Sequence, residues 1–234
     1  MHKSSALSAT LIGDKVDLAS NNKEAWTAYH LSLEPVDFFM FGSGYGDEEV
    51  DDVPVKEQVI EWANGKPHIK EELTIVPATS IKGALSHRVA YYYNKQVQHF
   101  ADQASKDERE NWVGTKNDAV AMLFGEDLNG KSGEIKRGNV LFEDIFISEA
   151  SEHIFPHVKI DRFTGGTIDG ALFQEKASMT QDKIEVTIYV HKCVSLETQQ
   201  AFESALNDLC HGALPLGGNV NKGHGCFEGQ WTKE

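Results

Sequence analysis

The residues best placed to do chemistry cluster near the end of the chain, in Pro215-Leu216-Gly217-Gly218-Asn219-Val220-Asn221-Lys222-Gly223-His224-Gly225. Four glycines and two asparagines within nine residues can take positive φ. Such a backbone can bend with its N–H groups turned outward and no Cβ in the way. A loop of this kind suits a phosphate, and Lys222 and His224 could add charge to the backbone donors. The plain alternative is a glycine-rich turn with no ligand.

A second anion-friendly pattern lies at Ile75-Val76-Pro77-Ala78-Thr79-Ser80-Ile81-Lys82-Gly83-Ala84-Leu85-Ser86-His87-Arg88. Thr79 or Ser80 can serve as N-cap, and Ile81, Leu85, Val89 and Tyr92 follow at helical spacing. Lys82 then falls near the positive end of a helix, which favours an anion. An ordinary capped amphipathic helix is the alternative.

In this order and separation the two segments resemble the RAMP superfamily, the repeat-associated proteins that build CRISPR ribonucleoprotein effectors. Ala78 to Leu85 is similar to the family's "P-G-S-S-I-K-G-x-L-R" segment, and Leu216 to Gly225 to its C-terminal glycine-rich loop. Val158-Lys159-Ile160-Asp161-Arg162-Phe163-Thr164-Gly165-Gly166, with Ala171-Leu172-Phe173-Gln174-Glu175, resembles a stretch of the backbone subunits of type III effectors, which target RNA. Leu123-Phe124-Gly125 and Gly138 to Asp144 extend the likeness.

The resemblance implies a subunit that lies along a CRISPR RNA beside further copies of itself or sibling RAMP subunits, within a complex of other effector subunits. It implies guide contacts from Ser80, Lys82 and Arg88 and from Gly217, Gly218, Asn219, Asn221, Lys222, Gly223 and His224. The segment with Lys159 and Arg162 matches the family's thumb, which wedges into the duplex of guide and target RNA. Arg162 could instead pair with Asp161 or Glu175, and Phe163 and Phe173 could stack on bases or simply pack.

Type III relatives often cut target RNA with a loop aspartate and a divalent metal, Mg or Mn, attack coming from the neighbouring 2′-hydroxyl. Gly42-Ser43-Gly44 resembles the glycines before that loop, and Asp52-Val53-Pro54-Val55 its "D-N-P-V". The resemblance therefore favours Asp52, then Asp51, then Asp47 as catalytic residue, with Asp52 holding the metal or accepting the 2′-hydroxyl proton. The alternatives are a solvated acidic loop on a non-catalytic scaffold subunit, and an unrelated ferredoxin-like binding module that carries no RNA.

The charge opposes nucleic-acid binding, with 22 Lys and Arg against 36 Asp and Glu, a net of −14. More than half of that deficit sits in 34–72, with eleven acids against three lysines. Salt screens charges beyond ~8 Å, so Lys82, Arg88, Lys136, Arg137, Lys159, Arg162 and Lys222 can still hold phosphates if they converge. Cys193, Cys210 and Cys226 are odd in number and not close-paired, which argues against a disulfide framework or a cysteine zinc site and predicts reduced, mostly buried thiols. No apolar run approaches a membrane span, and the start lacks a signal region, so no membrane contact and a cytoplasmic location are expected.

Hydrophobic periodicity predicts the elements that must position these residues: strand 26–34, helix 80–98, a charged surface segment 101–116, short helix 119–124, strand 139–147, strand 183–190, helix 196–210 and strand 226–231. The order is βαββαβ, an α+β, ferredoxin-like (RRM-like) core in a single domain spanning 1–234. The acidic stretch 37–72 is expected as a long loop or hairpin insertion. The stretch 148–178, expected to be irregular, carries the thumb-like insertion.

Overall fold

Period-two burial builds the strands of this chain and a 3.6-residue stripe builds its helices. The computed structural model describes residues 23–127 and 135–234; the polar start, 1–22, lies outside the described residues. The first part runs β1 (Trp26–Pro35), β2 (Lys56–Ala63), β3 (Lys66–Val76), α1 (Ala78–Gln96), α2 (Lys106–Asn111) and α3 (Asp118–Phe124). Short strands follow, β4 (Gly125–Asp127), β5 (Ile135–Arg137), β6 (Val140–Leu141) and β7 (Ile145–Ile147). The chain ends with β8 (Ser151–Ile160), β9 (Thr167–Met179), β10 (Ile184–His191), α4 (Leu196–Cys210) and β11 (Phe227–Lys233).

The protein is mixed α+β, with antiparallel sheets and packed helices. Its main sheet has the order β11-β1-β10-β6, every pairing antiparallel. Tyr29, Leu31 and Leu33 of β1 stand opposite Ile188, Val186 and Ile184 of β10, so the register brings six buried side chains to one face. α1 supplies Ile81, Leu85 and Val89 to the same core, and α4 supplies Ala201, Phe202, Ala205, Leu206 and Leu209. Arg88 and Tyr92 of α1 fasten to Asp208 of α4, at 3.3 and 2.9 Å.

The chain departs from the sequence reading at three points. α1 begins at Ala78 with Pro77 as N-cap and no side-chain cap, so neither Thr79 nor Ser80 caps it. Asp144 does part of that work from a distance, accepting the Ala78 N–H at 2.7 Å. For the same reason the strand expected over 139–147 is two strands: β6 joins β10 and β7 joins β3, and residues 142–144 leave the ladder between them so that Asp144 can reach the helix. The stretch 148–178 is not irregular. It is mostly the long two-stranded hairpin β8–β9, closed at its tip by Asp161, whose Oδ1 accepts the N–H groups of Phe163 and Thr164.

Acidic stretch 37–72 divides into a folded-back loop, 37–55, and the hairpin β2–β3, which pairs onward with β7. The segment 101–116 is the exposed surface expected, holding α2 behind a Ser105–Glu108 capping box. All three cysteines are free; Cys210 is buried and Cys226 half-buried, but Cys193 is exposed, against the expectation for it. Among the described residues no helix is long and apolar enough to cross a membrane.

Leu85 is fully buried where α1 meets the sheet. Leu85→Ala should lower unfolding stability by about 2–5 kcal/mol, read from a urea midpoint. A smaller loss would mean that the neighbouring side chains collapse into the space.

Candidate nucleic-acid interface

Three segments distant in sequence meet beside the main sheet: the loop after β1, the start of α1 and the glycine-rich loop before β11. They line an open cleft of ≈330 Å3, formed by Phe41, Gly42, Pro77, Ser80, Ala84, Pro215, Gly217 and Gly218. Ser80 and the glycine loop, paired in the sequence reading only by motif, therefore share one wall-to-wall site.

Backbone chemistry makes the glycine loop fit there. Gly218 donates its N–H to the Met40 carbonyl at 2.7 Å, and Gly225 donates to Phe38 at 2.9 Å. Gly217 and Gly225 have φ of 85° and 78°, and a Cβ on either would collide with a backbone carbonyl, of Met40 and of Leu216 respectively. Asn219 also has positive φ, 58°, and opens a short 3-10 turn, Val220–Lys222. The N–H groups are thus only partly turned outward. Those of Gly218, Lys222, Gly223, His224 and Gly225 donate within the protein, while those of residues 219–221 make no backbone bond among the described residues.

The cations are more engaged than their sequence positions suggest. Lys222 Nζ lies 3.1 Å from Glu175 Oε1 and 5.3 Å from the centre of the Phe173 ring. Arg88 donates to the Ala213 carbonyl at 2.6 Å besides pairing with Asp208, so it steadies the approach to the glycine loop. Lys136 stands 3.5 Å from Glu126. Lys82 is exposed on the first turn of α1 and, like Arg162 and Lys159 toward the exposed end of β8–β9, forms no ion pair among the described residues. Neither partner considered for Arg162 takes it: Asp161 caps the hairpin tip and Glu175 holds Lys222. Phe163 is 100% exposed at that tip, whereas Phe173 stacks on His157.

For His224 the residue type favours a structural histidine over the guide contact that the resemblance implies. Its ring is buried between Phe155 and Phe38, with centroids 5.1 and 6.3 Å away, so it packs the loop onto the base of the hairpin. Asn221 and Gly223 are exposed on the loop.

The candidate aspartates lie along β9. Asp51 exchanges bonds with Gln174, donating its N–H at 2.9 Å and accepting the Gln174 N–H on Oδ2 at 2.8 Å. Asp52 forms a bridge with Glu175, and its carbonyl accepts the Lys176 N–H at 3.0 Å. Asp47 binds Lys176 Nζ at 2.6 Å, beside Glu49 at 3.1 Å. The Lys176 hydrogen bond, with the N–H groups of Glu49 and Val50, holds the Asp47 carboxyl down at about 2. Asp47 is therefore a structural anion. Asp52 differs, because burial first and the Glu175 charge second push its carboxyl up, and Oδ1 is buried with no hydrogen-bond partner. Its carboxylate packs against Gly42, where a Cβ would sit 3.2 Å from Oδ1, so it stands directly behind a wall of the cleft.

Glu175 joins these parts and is the site residue that the sequence reading passed over. Its side chain is 5% exposed and accepts from His157 Nε2 at 2.7 Å, from Lys222 and from the Asn219 amide. Burial raises its carboxyl; the bonds from Lys222, His157 and Asn219 more than reverse this and hold it below the usual carboxylate range. Strand parity carried the signal, since Glu175 shares its face of β9 with buried Ala177.

A divalent ion of the magnesium kind keeps several waters and is commonly held by one or two carboxylates together with substrate phosphates. Among the described residues no group of three or more His, Cys, Asp or Glu side chains could hold a metal ion. The lysine paired with Glu175 is Lys222, at 3.1 Å.

A family model described as the RAMP superfamily matches residues 12–228 of the chain. The chain is also similar to "CRISPR system Cms endoribonuclease Csm3" of Streptococcus thermophilus, 34% identical over 89 residues. That match covers 37% of this chain and 34% of the relative, about a third of the relative's length.

The raised carboxyl of Asp52 sets a pH test. When the folded value exceeds the unfolded one, stability falls as pH rises through the window between them, and the cost of ionised Asp52 is fully present above it. Asp52→Asn should raise the thermal midpoint at about pH 7, with the gain shrinking as pH falls through that window and gone below about pH 4, the ordinary carboxylate value. Calorimetry at both pH values checks this; a lower midpoint at pH 7 would mean that the charge itself holds the loop.

Proposed function

The chain belongs to the RAMP superfamily, and from that premise we propose that it is a CRISPR RNA-binding backbone subunit of a type III, RNA-targeting effector complex. The observation that carries the reading is the single cleft shared by Ser80 at the start of α1 and by Gly217 and Gly218. A phosphate seated there meets the positive end of α1, on whose first turn Lys82 stands exposed. These contacts read the backbone and no base edge, as a subunit serving many guide sequences requires.

In this proposal the sheet β11-β1-β10-β6 with α1 and α4 is a ferredoxin-like βαββαβ core of one domain. Hairpin β8–β9 is the thumb, with Lys159, Arg162 and the fully exposed Phe163 at its outer end meeting guide and target RNA. Sibling subunits and further copies of the chain lie on either side along the guide. The similarity to a CRISPR endoribonuclease favours cleavage of the bound target, with Asp52 taking the 2′-hydroxyl proton. An aspartate that burial keeps basic, and that makes no hydrogen bond through Oδ1, suits that role better than Asp47 or Asp51, whose carboxylates are occupied.

Three measurements test the reading. Nucleic acid extracted from the purified protein should include small RNA. Lys82→Ala should weaken RNA binding and reduce the slope of log K against log salt by about 0.7, the value for one phosphate contact on a single strand; an unchanged slope would remove Lys82 from the interface. In a guide-loaded complex Asp52→Ala should abolish target cleavage with target binding retained, and undiminished cleavage would leave a scaffold subunit.

A further inference from the structure

Lys222 is the one lysine or arginine of the glycine loop, yet a carboxylate of its own chain already holds it. We propose that Glu175 acts as an internal surrogate for phosphate, parking the Lys222 ammonium beside the cleft and releasing it to an RNA phosphate on binding. The inference rests on the RNA-binding reading and concerns how that site is kept ready.

The geometry makes Lys222 the exchangeable partner. Oε1 of Glu175 is shared by two donors, His157 Nε2 at 2.7 Å and Lys222 Nζ at 3.1 Å. The same His157 nitrogen lies 3.2 Å from Lys222 Nζ. A ring nitrogen that donates its proton to Glu175 cannot accept one from Lys222. The lysine is therefore held by one oxygen and faces a second donor.

When Lys222 leaves, Glu175 keeps His157 and the Asn219 amide, so a buried carboxylate is not left without donors. Lys222 is also the more accessible member, its side chain 32% exposed against 5% for Glu175. It ends the 3-10 turn at Gly223, whose φ of 95° and open surroundings let the turn shift without a clash. Phosphate offers the ammonium what Glu175 offers, an anionic oxygen. Glu175 is thus a positioning residue: it orders Lys222 in advance without touching RNA.

The full-length chain, titrated with a fluorescently labelled mixed-sequence single-stranded RNA from about 50 to 200 mM salt, decides the matter. Glu175→Gln should tighten binding about fivefold, the upper range for a partly exposed ion pair, and the gain should vanish when Lys222→Met is added. Lys222→Met alone should reduce the salt slope by about 0.7. Weaker or unchanged binding by a folded Glu175→Gln chain overturns the exchange, as does a gain that survives Lys222→Met and so reflects bulk charge. Should Glu175→Gln not fold, the slope of Lys222→Met decides alone, and an unchanged slope overturns the proposal. Failure of the unaltered chain to bind RNA overturns the RNA-binding reading itself; binding without the Lys222 effects overturns only the exchange.

Discussion

Burying a carboxylate is costly unless donors surround it, and Glu175 is the carboxylate this chain buries beside its cleft. Its donors come from two places far apart in sequence, His157 across the β8–β9 hairpin and Lys222 with Asn219 in the glycine loop. The residues on either side of it, Gln174 and Lys176, bond to the backbone of Asp51 and Asp52. Hairpin, glycine loop and acidic loop are therefore registered against each other around Glu175, by its charge and by the backbone bonds of its neighbours. The cleft wall formed by Gly42, Gly217 and Gly218 follows from that registration.

The same charge creates a local conflict. Asp52 stands next to Glu175 with one oxygen buried and unpaired, while Lys222 and His157 both bond to Glu175. A chain selected for stability alone would place an amide or a hydroxyl there. The Val53 N–H offsets only part of the conflict, which falls on the carboxylate that backs onto the cleft. Stored desolvation of this sort is what raises the proton affinity of an acid that must act as a base near neutrality. Asp47, a few residues away and fully satisfied by Lys176, shows what a structural aspartate looks like in the same loop.

Much of the frame was legible because it rests on periodicity. The alternation of Ile184, Val186, Ile188 and Val190, and the stripe of Ile81, Leu85 and Val89, led to a buried strand and a buried helix face at the expected places. What escaped depends on partners far along the chain. Nothing near Ala78 announces that Asp144 will accept its N–H, so the helix start was misplaced and one strand was drawn where there are two. Glycine spacing in 215–225 marked a bent backbone, but not that Phe38 and Met40 would take some of its donors. Cation positions were visible; their internal carboxylate partners were not.

A net charge of −14 still has to be reconciled with a polyanion. Distance decides it. On the proposed reading the acids of the β2–β3 hairpin would act on RNA only through solvent and be screened beyond ~8 Å, whereas a phosphate in the cleft would meet the start of α1 directly. Several acids are also paired within the chain, Asp47 and Glu49 with Lys176 and Glu152 with Lys56. The remaining negative field has a use. It weakens the loose, non-specific association that a basic surface would offer any nucleic acid, so that binding depends on a strand whose backbone fits the cleft. On this argument the acidity is part of the selectivity and does not count against RNA binding.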